Sequence, residues 1–154
     1  MKINNLTHGG IVRIKNNGIL IRISTLTKKK IGYHLSENES YMHYISLHEV
    51  EPVEINTHFL KLNGFQYCEE TEGYILAEYT KRSDEDGLID YSECVAIYPH
   101  EGNENGKRWY FVVFSPDANS EYPIRIEMDI TYIHELQELM MYAGIIKQSK
   151  EFKI

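Results

Sequence analysis

The run Ile130-Thr-Tyr-Ile-His-Glu-Leu-Gln-Glu-Leu-Met-Met-Tyr-Ala-Gly144 constrains the fold more than any other stretch of this chain. At about 100° per residue, Tyr132, Ile133, Leu136, Leu139, Met140 and Ala143 gather on one arc, which predicts a helix over 131–143. An apolar stripe of that width needs a sheet or a second helix to cover it. The far side carries His134, Gln137, Glu138 and Met141, a polar face with an outward methionine that amphipathicity does not require. His134, Gln137 and Met141 are therefore candidate interface residues: covered by another part of the chain or by a partner they serve contact, and facing water they serve only the helix.

Ahead of this helix the period falls to two. The first fifty residues read as short strands: Ile11–Lys15, an Asn16-Asn17-Gly18 turn, Ile19–Ser24, a Lys28-Lys29-Lys30 turn, Ile31–Leu35 and Tyr41–Leu47. Four or five strands in so short a space predict a small SH3-like β-barrel or roll over 1–54, with Gly9-Gly10 supplying a sharp bend before the first strand. Pro52 ends this unit and biases Glu51 away from helix. Asn56 then suits an N-cap, accepting from the amide of His58 or Phe59, and Gly64 suits the left-handed residue that closes a helix of about two turns.

From Phe65 the alternation returns in five segments, Phe65–Glu70, Tyr74–Thr80, Glu93–Tyr98, Arg108–Ser115 and Pro123–Met128. Glu72-Gly73, Asn105-Gly106 and Ser115-Pro116-Asp117 mark short connections, so the expected arrangement is an antiparallel meander. Trp109 to Phe114 is apolar on both faces and reads as a central strand; Ile124, Ile126 and Met128 read as one apolar face. The expected whole is α+β, a small barrel over 1–54 followed by an α+β domain over 55–154 with the last helix on its sheet.

Composition narrows the setting. With 42% hydrophobic and 25% charged residues, 12 Tyr and a Trp, the chain is globular in character. No run approaches the roughly 18 apolar residues of a bilayer span, and Met1–Leu6 has no apolar signal core, which gives a cytoplasmic expectation. Cys68 and Cys94 are far apart and suit reduced thiols. The net charge of −7 is unevenly spread: residues 1–48 carry seven Lys or Arg against two Glu, and residues 49–154 nine against twenty-one acids. A basic unit thus precedes an acidic one, which suits either a basic partner surface or mutual docking of the halves.

Two segments carry a family resemblance. Pro52-Val-Glu-Ile-Asn-Thr-His-Phe-Leu-Lys-Leu-Asn-Gly-Phe65 and Ile133-His-Glu-Leu-Gln-Glu-Leu139 are similar to the proline, cap, short helix and Asn-Gly-Phe ending, and to the closing His-x-Leu-Gln helix, of a group of small uncharacterised proteins from gut Bacteroidetes and their prophages and mobile elements. Leu6-Thr-His-Gly-Gly-Ile-Val12 resembles that group's opening, and Asn56 stands where the group generally has Thr. The resemblance implies a bacterial or phage accessory protein and brings no catalytic residue with it.

Motif by motif, chemistry is thin. Arg82 to Glu93 places Asp84, Asp86, Gly87, Ile89, Asp90 and Glu93 at EF-hand spacings, but Arg82 occupies the first ligand position and the flanks read as strands, so an acidic surface loop is expected over 84–93. His134-Glu-Leu-Gln-Glu138 has Glu138 where a zinc-protease helix needs its second histidine. His34, His43, His48 and His58 follow no metal spacing, and no glycine-rich phosphate loop or nucleophile elbow is present. Neither a metal nor a cofactor is expected. The preferred expectation is a non-enzymatic accessory protein that binds another macromolecule, a protein or a second copy, and not a membrane. One alternative is a nucleic-acid binder using Arg13, Lys15, Arg22, Lys28, Lys29, Lys30 and Tyr33 for phosphates and stacking; another is an enzyme built on residues scattered in sequence.

Overall fold

The computed structural model describes residues 6–83, 90–100, 108–114, 124–148 and 151–154. They form a mixed α+β structure dominated by antiparallel strands. The first segment contributes β1 (Ile11–Ile14), β2 (Leu20–Arg22), β3 (Thr25–Leu26), β4 (Lys30–Tyr33), β5 (His43–Ser46) and β6 (Val50–Pro52). At the first hairpin the Asn17 side chain accepts from the amide of Ile19, and Gly18 takes a φ of +72° that a side chain would resist.

Where a small SH3-like barrel or roll is expected, the described residues form two three-stranded sheets that do not close into a barrel, β2-β1-β6 and β3-β4-β5. The reason lies at Ile23-Ser24. There the extended stretch holding β2 and β3 breaks, so β2 pairs with β1 while β3 pairs with β4. A second break replaces the predicted end of the strand Tyr41–Leu47 with a 3₁₀ turn over Leu47–Glu49. Between them these breaks leave the small sheet with open edges at β3 and β5. Pro52, which cannot donate to a ladder, sits on the edge strand β6.

Helix α1 (Thr57–Leu62) starts and ends as its sequence predicts. Asn56 accepts from the Phe59 amide at 3.1 Å, and Gly64 has a φ of +87°. Next come β7 (Phe65–Cys68), β8 (Gly73–Ser83), β9 (Asp90–Pro99), β10 (Trp109–Phe114) and β11 (Ile124–Ile130), in the sheet order β11-β10-β9-β8-β7, a pure meander. Helix α2 (Ile133–Tyr142) closes the fold. At its start the Glu135 carboxylate reaches back to accept from the backbone N–H of Thr131 and Tyr132, the two residues ahead of the helix, while the Ile133 amide donates to the Val53 carbonyl. Residues 84–89 of the acidic loop, and the turns at Asn105-Gly106 and Ser115-Pro116-Asp117, lie outside the described residues.

The larger core joins Ile133, Leu136, Met140 and Ala143 of α2 to Val95, Ile97, Trp109, Phe111 and Val113 of the sheet, and takes in Ile11, Val53 and Ile55 from the first segment. A smaller core of Leu6, Val12, Ile14, Ile21, Ile23, Ile31 and Val50 lies within that segment. On β11, the edge strand, Ile126 packs against the core, while Ile124 and Met128 are exposed.

Candidate functional site

The polar side of α2 does not face water. His134 is 5% exposed and Gln137 2%, so of the two alternatives for these residues, covered or facing water, both are covered by another part of the chain. The Gly9-Gly10 bend covers them. Gly9, at a φ of +87°, presents its carbonyl to the Gln137 side-chain amide at 2.8 Å, and a Cβ on Gly10 would lie 3.7 Å from that of His134. The His134 ring stacks on Tyr132 with centroids 5.7 Å apart, and burial pushes its pKa down, opposed by Glu135 and Glu138. Glu138 accepts from the Thr7 hydroxyl at 2.8 Å. Only Met141 of the three candidate interface residues remains outside, at 40% exposure.

The basic residues divide in the same way. Arg22 donates to the carbonyl of Phe152 at 2.6 Å, and Phe152 is fully buried, so this guanidinium joins the two ends of the described chain. Desolvation by burial pulls its pKa down. Arg13 lies 3.6 Å from Glu51, and the Lys15 ammonium donates to the carbonyl of His48. Tyr33 is half-buried with its ring 5.5 Å from that of His43. Lys28, Lys29 and Lys30 are exposed at the β3–β4 turn, where the Thr27 hydroxyl oxygen accepts from the amides of Lys29 and Lys30.

That turn borders the arrangement best suited to contact. The 3₁₀ turn is held by a capping box: Ser46 Oγ accepts from the His48 amide and Glu49 Oε2 from the Ser46 amide. Leu47 and His48, carried on this turn, each line two grooves. One, of about 590 Å³, runs past Leu6, Leu26, Lys28 and Lys29; the other, of about 730 Å³, runs past Arg13, Lys15, Glu51, Glu54 and Tyr132. At the opposite end of the small sheet Leu35, Tyr41 and Tyr44 are exposed, the two tyrosines at 69% and 62%. Their loop is braced by Glu39, which accepts from His43 at 2.8 Å and from the Leu35 amide at 2.7 Å. The His43 hydrogen bond, with that of Leu35, holds the Glu39 carboxyl below the usual range.

Sequence reasoning missed the capping box, although Ser46-Leu-His-Glu49 carries its signature. Leu47 disguised it by prolonging the alternation of the preceding strand. Among the described residues no group of three or more His, Cys, Asp or Glu is placed to hold a metal ion, and no helix is long and apolar enough to cross a membrane. Both cysteines are free thiols, with Cys94 buried and Cys68 at intermediate exposure. Hydrogen bonds from Thr71 pull the Cys68 thiol pKa down, and burial pushes that of Cys94 up. The chain matches no family model, no curated protein and no solved structure.

Proposed function

We propose that this chain is a non-enzymatic accessory protein, associated with a phage or mobile element, that works by binding another protein. The observation that carries this reading is the small sheet β3-β4-β5. Among the described residues it has two unpaired edges, and it bears exposed Leu35, Tyr41 and Tyr44 beside the loop that Glu39 braces, with exposed Leu26 on its other face next to the Thr27 turn. Tyrosines supply contact area at low entropic cost, and an open edge can add a strand from a partner. In this reading the first unit, of SH3-like size, is the binding module, and α2 holds it on the second. The resemblance at 52–65 and 133–139 supports the bacterial or phage setting, and two free thiols support a reducing, cytoplasmic one.

The test is affinity capture with the wild-type chain beside a Leu35→Asp/Tyr44→Asp variant of unchanged circular dichroism. A partner retained by the first and lost by the second is the expected result; equal recovery from both removes the reading. A second reading, nucleic-acid binding on the same sheet, draws on the exposed Lys28 and Lys29 at one end of it and the exposed Tyr41 and Tyr44 toward the other. It predicts a fluorescence-anisotropy response to single-stranded DNA at low salt that weakens as salt rises.

A further inference from the structure

We infer that the groove beside the β3–β4 turn takes an acidic, extended segment of the partner, with one apolar side chain among Leu6, Leu26 and Leu47 and carboxylates on Lys28 and Lys29. This rests on the protein-binding reading and names the chemistry of its partner. The groove holds about 590 Å³, within the range of roughly 300–1,000 Å³ for sites that enclose a ligand group. Its described lining combines those three leucines with Lys28, Lys29 and His48 and contains no carboxylate. In a chain with 23 acidic residues against 16 Lys and Arg, that separation leaves a local positive field with an apolar floor.

Lys28 and Lys29 differ from the other cations of the first unit. Arg13, Lys15 and Arg22 each contact an acceptor of this chain, whereas neither Lys28 nor Lys29 forms an ion pair among the described residues. The backbone of Lys29 is nonetheless held, its amide donating to the Thr27 hydroxyl oxygen and its carbonyl accepting from the Leu47 amide at 3.0 Å. Leu26 lines the groove and lies on the open edge strand β3, so a bound segment can pair with that edge while its side chain enters. An acidic peptide fits this combination better than a nucleic acid. Among its described lining residues His48 is the one ring and no Tyr, Trp or Phe offers a stacking platform, and the net charge of −7 opposes a long polyanion.

The probe is a fluorescein-labelled ten-residue peptide alternating Glu and Leu, titrated by anisotropy against the whole chain at low salt. Binding is expected, weakened at least about tenfold by Lys28→Glu/Lys29→Glu, by Leu26→Asp, and by replacing Glu with Lys in the peptide. Both lysines are exposed in a turn, and thermal melting of the double variant verifies its fold. The inference is overturned if the double variant binds the peptide as well as wild type does. It is equally overturned if no binding is seen below about 1 mM, or if oligo-dT binds more tightly than the peptide. Should a partner captured through Leu35 and Tyr44 still bind the lysine variant, protein binding stands and the acidic-segment inference alone falls.

Discussion

Around Gln137 the protein buries polar side chains, and around Tyr44 it exposes apolar ones. The junction between α2 and the Gly9-Gly10 bend encloses a glutamine and a histidine, while the nearby guanidinium of Arg22 donates to the Phe152 carbonyl. The small sheet leaves Leu26, Leu35, Tyr41 and Tyr44 in water. The contrast shows that residue type alone misidentifies what is buried here. His134, Gln137 and Arg22 look like surface chemistry and are engaged inside the fold; the leucines and tyrosines look like core and stand exposed.

Substitutions can break or sharpen that contrast. Phe152→Ala should have the largest effect, a loss of about 3–5 kcal/mol in urea unfolding, because it empties a fully buried site at the junction. A loss under about 1 kcal/mol would mean the junction is not part of the stable core. Next, Gln137→Ala should cost about 1–3 kcal/mol by leaving the Gly9 carbonyl without its buried donor.

His134 gives a pH dependence of defined sign. Burial lowers its pKa from the usual 6.5, so the unfolded chain takes up a proton at a higher pH than the native one does. Its contribution to stability is complete above the unfolded value and is lost as pH falls through the interval below 6.5. Wild type minus His134→Phe, compared by urea midpoint at pH 7.5 and pH 5, should therefore narrow toward acid; a constant difference would show that the ring is not held neutral. The smallest effect belongs to the exposed sheet. Tyr44→Ser should leave stability within about 0.5 kcal/mol of wild type while weakening partner capture, and a larger stability loss would place Tyr44 in the fold's support.

Local signals in the sequence were reliable where the structure answers them locally. Asn56 caps α1, Gly64 ends it, and the five alternating segments after Phe65 form the meander in chain order. What escaped is nonlocal. A helical period records one covered arc, but the second cover of α2 comes from glycine backbone 128 residues away, and glycines without side chains leave no hydropathy pattern. Alternation likewise turns Arg22 outward from its own strand, with nothing to announce an acceptor 130 residues later. The first unit does not close into a barrel for a smaller reason: the strand read over Ile19–Ser24 pairs with β1 only through Arg22, and Thr25-Leu26, read as part of no strand, pairs with β4 in a second sheet. In the candidate site the lysine turn was legible, and the groove beside it was not, because it depends on a 3₁₀ turn carrying Leu47 and His48.

The hydrogen bonds from Gln137 to Gly9 and from Arg22 to Phe152 also set an order of events during synthesis. The small core, from Leu6 to Val50, is complete once the first fifty-odd residues have emerged. Its acceptor at Phe152 follows 130 residues after Arg22, a delay on the order of ten seconds at typical elongation rates. The unit that carries the open sheet edges is thus made first and fastened last, and for that interval the Gly9 carbonyl waits for its Gln137 donor and the Arg22 guanidinium for its Phe152 acceptor.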